Sequence, residues 1–248
     1  MSSTAILISG QLRTFAQCLP TLQWACFRKL DDPHFYVSCA NDAQAGDVRD
    51  LVKLYPDNVH FEVVGQPALD EKNYAERAQF APYAISVPVQ SILRQAWHME
   101  RVYQFAMDNG AHKHETFVRC RPDLWMTDCP DFMGMTYPPL TCFAPFWARF
   151  GGQNDRFAIM GSLAARHYFT LYSNIPALMD FGCPFHPESL LLAQLNVNGV
   201  EVHHTLNAMF STLRLPEPDP QNLGQMRQER RFPEILPHEI AEYARTRQ

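Results

Sequence analysis

Residues 4–14 read TAILISGQLRT. The apolar run from Ala5 to Ile8 has the length of a strand covered on both faces, and Gly10 ends it. A helical pattern follows from about residue 16 to residue 30. The alternation then repeats: HFYVSCA (34–40) reads as a second strand, AGDVRDLVKLY (45–55) as a second helix and VHFEVVG (59–65) as a third strand. Strands alternating with helices predict an α/β fold with a mostly parallel central sheet flanked by helices.

Residues 66–88 form a polar, proline-interrupted connection. In the helix expected over 89–109, Ile92, Ala96, Met99, Tyr103 and Ala106 recur at spacings of four and three and make one apolar stripe. Gly110 stands where a C-terminal cap belongs. Trp97 and His98, beside that stripe, are assigned no chemistry, and HKHE (112–115) reads as a solvated loop rather than a metal site. ETFVRC (115–120) is a fourth strand and RFAIMG (156–161) another, with Ser162 opening the helix after it. PESLLLAQLNVNG (187–199) is a helix with Pro187 at its first position. VEVHHTL (200–206) and AMFSTLR (208–214) read as strands. Pro216, Pro218 and Pro220 then break the pattern, so the expected organisation is one domain over 1–215 and a proline-rich linker and tail over 216–248.

The 248 residues suffice for one large core. Hydrophobic residues make up 46% and charged residues 19%, the balance of a soluble globular protein, and the net charge of −5 offers no extended basic surface for nucleic acid. Seven cysteines, an odd number without any C-x-x-C pair, fit buried reduced thiols better than a disulfide framework or a zinc site. The first ten residues carry no basic segment ahead of their short apolar run, so no signal peptide is expected, no stretch approaches a membrane span, and the expected location is cytoplasmic.

Chemistry-bearing residues gather at strand ends, where open α/β sheets bind their ligands. GQLRT follows the first strand: Gly10 lets a backbone approach an anion, and Gln11 and Arg13 offer donors. At the fourth strand, FVRCRPDLWM (117–126) places Phe117, Arg119 and Arg121 on one side by alternation, with Asp123 joining them if the chain stays extended. Such a cluster is either a mutually paired structural bridge or a holder of something charged. GGQNDR (151–156) precedes another strand, and its Asn154 and Asp155 read as turn formers or as site groups. Glu188 sits in the first turn of a helix, a position that also suits a carboxylate for purely electrostatic reasons. There is no glycine-rich dinucleotide fingerprint and no P-loop.

In this order, ILISGQLRTF, FVRCRPDLWM, NDRFAIMGS and HPESLLLAQL resemble a group of GT-A-type glycosyltransferases found among bacterial surface-polysaccharide enzymes and in large viruses and phages. The resemblance covers about residues 4–214, and each motif is short, so only their combination is specific. It implies a GT-A-like, Rossmann-like domain that moves a sugar from a nucleotide-diphosphate sugar to a hydroxyl acceptor. That acceptor is a glycan or, in a phage setting, a modified nucleobase, with nucleic acid not favoured. Carried over by motif, Gly10, Gln11, Arg13, Arg119, Arg121, Asp123 and Asn154 bind the donor, and Glu188 or Asp155 takes the acceptor proton, Glu188 being preferred. The D-x-D of better-known GT-A enzymes is absent: one aspartate follows two arginines. The resemblance therefore implies either Mn²⁺ or Mg²⁺ held by Asp123 or arginines standing in for part of the ion's charge. A nucleotidyltransferase and a catalytically silent nucleotide- or glycan-binding protein are the competing expectations.

Overall fold

The computed structural model describes residues 3–41, 48–65, 67–78, 88–131 and 135–213. The expected linker and tail over 216–248 lie outside the described residues. Strands β1 (Thr4–Gly10), β2 (Pro33–Ala40) and β3 (Val59–Val64) run parallel, joined through helices α1 (Phe15–Ala25) and α2 (Arg49–Leu54). The connection after β3 contains a helix that its composition hides, α3 (Glu71–Ala78). The long α4 (Val89–Asp108) then returns the chain to β4 (Thr116–Cys120), which pairs parallel with β1 on the side away from β2.

Beyond β4 come β5 (Leu124–Asp128), β6 (Thr141–Pro145), β7 (Phe157–Gly161), helices α5 (Ser162–Phe169), α6 (Leu171–Asp180) and α7 (Pro187–Val197), and strands β8 (Glu201–Leu206) and β9 (Met209–Thr212). The main sheet has seven strands in the order β3-β2-β1-β4-β7-β6-β8, while β5 and β9 form a separate two-stranded ribbon. The sheet is mostly parallel, as expected, with β7 antiparallel to both of its neighbours. Neither β5 nor β6 is legible in the sequence, which shows only a proline-, methionine- and aromatic-rich stretch there.

Alternation along the strands builds two cores. Ile6, Ile8, Phe35, Val37, Val118 and Ile159 face α1 and the ribbon, whereas Leu7, Tyr36, Phe117 and Met160 face α4 to α7. Each fully buried aliphatic side chain contributes about 1.5–3 kcal/mol of transfer free energy, so these two layers fix the sheet between its helices. The chain leaves β1 toward β2 and β3, then crosses to the other side of β1 at β4. The crevice beyond the carboxyl ends of β1 and β4 is therefore the topological switch point of the sheet. Because β7 runs the opposite way, the loop that precedes it reaches the same edge as the loops that follow β1 and β4.

Candidate active site

Gly10 has φ +111, a conformation that side chains strongly disfavour, and an added Cβ there would meet no neighbour within 4 Å. The glycine is thus required by the backbone bend that turns Gln11 and Arg13, both exposed, onto the rim of the crevice. Thr14 Oγ1 donates to the Leu213 carbonyl at 3.0 Å, and the Leu213 amide donates to the Asp123 carbonyl at 2.8 Å. The turn after β1 and the turn after β4 are tied together through the end of β9.

The two arginines of β4 part company. Arg119 is 1% exposed, lying under the floor of the crevice on the α4 side. Its Nη1 donates to Ser9 Oγ at 2.8 Å and its Nε to the Asp155 carbonyl at 3.3 Å. Burial pulls its pKa down, because a guanidinium stripped of water loses its hydration. Arg121, at the strand's end, forms a two-pronged contact with Asp123: Nε to Oδ1 at 2.9 Å and Nη2 to Oδ2 at 2.6 Å. Both side chains of that pair are 19% exposed, so the fork lines the crevice wall and is not a core bridge. The alternation that would have put Asp123 beside both arginines fails because β4 ends at Cys120 and the chain turns before β5.

The loop before β7 carries the carboxylates. Asn154 is fully buried and its amide braces the loop: Oδ1 accepts from the Arg156 amide at 2.9 Å, and Nδ2 donates to the Trp147 carbonyl at 3.1 Å. The structure thus places Asn154 in a supporting position rather than on the crevice surface. Asp155, 4% exposed, accepts a hydrogen bond from Gln95 Nε2 of α4. Gly152 explains how α7 comes to meet this loop. A Cβ on Gly152 would lie 2.1 Å from the Glu188 backbone carbonyl, so only glycine lets the two backbones touch, and the Gln153 amide donates to the Glu188 carbonyl at 2.8 Å.

Glu188 is 5% exposed, and its pKa is raised from 4.5 to about 8. Burial is the larger cause and the negative charge of Asp155 the second, while Arg156 and Arg121 pull the other way. His186 Nδ1 lies 3.3 Å from Glu188 Oε2, yet burial lowers the His186 pKa despite the opposing charge of Asp155. Near neutral pH that contact therefore joins an uncharged imidazole to a largely protonated carboxyl and is not an ion pair. Asp155, Gln95 and Pro187 also line a small pocket whose remaining wall is apolar, including Ile92, Met99 and Leu190.

A divalent cation was one expectation at Asp123. Each Asp123 oxygen accepts an N–H from Arg121, and no group of three His, Cys, Asp or Glu suited to a metal occurs among the described residues, so any ion there would rest on Asp123 together with the diphosphate and water. All seven cysteines are free, six of them buried, and burial raises Cys120 and Cys142, so the thiol expectation agrees with the packing.

Four neighbours of the site were assigned no role from the sequence. Gln95 and His98 belong to α4, where the apolar stripe dominates the pattern. Burial, then the cations Arg119 and Arg94, lower the His98 pKa to about 4. Arg156 and His186 each adjoin a residue already selected or its helix, so the local sequence held a signal for them.

No protein-family model matches the chain, and no curated protein matches it in sequence. Among solved structures it is similar to the galactosyltransferase LgtC in complex with donor and acceptor sugar analogues, at 10% identity and a TM-score of 0.47. It is also similar to an active-site mutant of LgtC, at 10% identity and a TM-score of 0.48. Each superposition covers 96% of this chain and 82% of the other. Overlap that loose leaves the chemistry to be argued from this chain's own residues. Among the described residues, no helix is long and apolar enough to cross a membrane.

Proposed function

We propose that the protein is a glycosyltransferase that moves a sugar from a nucleoside-diphosphate sugar to a hydroxyl acceptor. The observation that carries this reading is the meeting, at one switch-point crevice, of a cationic rim with a buried carboxylate pair. The rim consists of the Gly10 turn with Gln11 and Arg13, and of Arg121 braced by Asp123. The pair is Asp155 and Glu188. The motifs quoted above fall on these same elements.

In such a transfer the bond from the anomeric carbon to the diphosphate breaks, a bond to the acceptor oxygen forms, and the acceptor's proton must be taken up. Charge grows on the departing diphosphate, where the exposed Arg13 and the braced Arg121 offer donors and the buried charge of Arg119 adds to the field. Asn154 keeps the loop in place, so Asp155 and Glu188 stay together. Glu188 acts as the base in its ionised form, and its raised pKa makes it a strong acceptor of a proton once ionised. Activity then rises with pH toward about 8, as the ionised fraction of Glu188 grows.

Thermal melts with uridine, guanosine, cytidine and thymidine mono- and diphosphates test the donor site. A diphosphate at ~100 times its dissociation constant adds about 2.7 kcal/mol, and the matching monophosphate shifts the melt less. Absence of any diphosphate shift refutes the reading. Incubation with the corresponding nucleotide sugars separates the alternatives. Slow release of free sugar and nucleoside diphosphate marks a transferase, pyrophosphate exchange a nucleotidyltransferase, and binding without turnover a silent protein.

A further inference from the structure

The loop from β6 to β7 holds an aromatic ring where a buried one would be expected. Phe150 is 53% exposed, and its backbone has φ +45, a region that a bulky side chain enters only at a cost of about 1–3 kcal/mol. Ala148, two residues earlier, has φ +49, and Gly151 follows at φ +81. The loop is nevertheless tied at its base. The Gly152 amide donates to the Arg149 carbonyl at 2.7 Å, Arg149 Nε donates to the Gly152 carbonyl at 3.1 Å, and Gly152 packs on the backbone of Glu188. A strained loop so fastened, with a phenyl ring turned toward solvent, gains nothing for the core.

The position of the ring is informative. The Arg156 guanidinium lies over the ring, 5.7 Å from its centroid, which leaves the opposite face for a ligand, and the His186 ring stands across it at 6.5 Å and 62°. His186 in turn is 3.3 Å from the Glu188 carboxyl. One imidazole therefore separates the exposed ring from the proton acceptor. A pyranose has a face of electropositive C–H bonds, which suits the negative face of an aromatic ring, and equatorial hydroxyls that suit guanidinium and imidazole partners at its edge.

We infer that Phe150 is the floor of an acceptor subsite that takes a pyranose ring, so that the acceptor is a carbohydrate and its free hydroxyl reaches toward Glu188. This inference rests on the sugar-transfer reading above. A carbohydrate acceptor is favoured over a nucleobase by the edge partners. Arg156 and His186 suit the hydroxyls of a sugar, and the net charge of −5 disfavours a phosphate backbone as partner.

The test compares the wild-type protein with Phe150→Ala, Phe150→Leu and Phe150→Tyr. Two readouts are taken: the diphosphate melting shift, and saturation transfer by NMR from protein to a panel of methyl glycosides, lactose and deoxyribonucleosides. At least one glycoside should receive saturation on the C–H protons of one ring face in the wild type and in Phe150→Tyr. The signal should fall at least about fivefold in Phe150→Ala and Phe150→Leu, the loss expected when an aromatic stacking contact is removed. The diphosphate shift should be the same in all four proteins. Equal glycoside signals in Phe150→Leu and wild type, no glycoside signal from the wild type, or saturation of the deoxyribonucleosides instead would overturn the inference. Loss of the diphosphate shift in Phe150→Ala would also overturn it, by moving the ring to the donor side. A wild-type protein without any diphosphate shift but with a Phe150-dependent glycoside signal would instead remove the donor reading and leave the sugar platform standing.

Discussion

Replacing Glu188 by glutamine isolates the buried carboxyl proposed as the base. Its pKa stands at about 8 in the folded protein, against 4.5 for an unperturbed glutamate, because burial and the charge of Asp155 both oppose ionisation. Between those two values the unfolded chain releases a proton that the native state keeps. The native state binds more protons there, so stability is fully present below pH 4.5 and is lost as pH rises to about 8. One proton corresponds to about 1.4 kcal/mol per pH unit. At pH 7, about 2.5 units above the unfolded value, the wild type has given up on the order of 3 kcal/mol relative to a neutral residue of the same shape. Glu188→Gln, neutral in both states, does not undergo that loss. Its stability relative to wild type should therefore climb steadily from pH 5 to pH 8, reaching on the order of 3 kcal/mol at pH 7. Urea unfolding followed by tryptophan fluorescence at several pH values measures the difference directly, and effects of titrating groups remote from Glu188 cancel in it. A difference that stays flat across this range refutes the electrostatic account of the site. The same variant should lose about a hundredfold or more of its transfer rate at pH 8 and above, where Glu188 is ionised, and the gap should narrow as pH falls and the wild-type base is protonated. Full activity in Glu188→Gln would pass the base role to Asp155.

Asp123→Asn should lower turnover by about a hundredfold or more while costing only about 1–2 kcal/mol, since the Arg121 fork it weakens is partly exposed. Melts and turnover on one preparation check this, and a destabilised variant with full specific activity would remove Asp123 from the site. Gly152→Ala puts a methyl 2.1 Å from the Glu188 carbonyl, so the loop or the start of α7 must shift. The expected loss is about 3 kcal/mol or more in chemical denaturation, and an unchanged midpoint would contradict the packing described.

Much of this protein is legible residue by residue. The apolar runs of β1, β2, β4 and β7, the stripe of α4 and the proline that opens α7 are local signals, because a strand's alternation and a helix's period are set by neighbours a few residues apart. Most of the residues proposed for the site were likewise visible, as polar or charged groups beside strand ends and, for Glu188, in the first turn of a helix. Their division of labour was not. Alternation placed Arg119 and Arg121 on one face but could not say that the first is under the floor and the second on the wall, since depth depends on where β4 ends beneath α4 and α5. Asn154 and Asp155 are adjacent in the chain, yet one braces a loop and the other faces Glu188. The ribbon of β5 and β9 joins segments whose partners lie some eighty residues away, at Leu124↔Thr212 for example, and no local pattern records such a pairing. Nor does any local pattern record that β7 runs antiparallel, which alone carries the Asp155 loop to the edge where β1 and β4 end. The raised pKa of Glu188 is the clearest case. A carboxylate in the first turn of a helix is ordinarily stabilised by that helix. Here the bare backbone of Gly152 lets α7 dock close enough to exclude water and to face Asp155, so burial and like charge, both products of tertiary contact, outweigh the local preference.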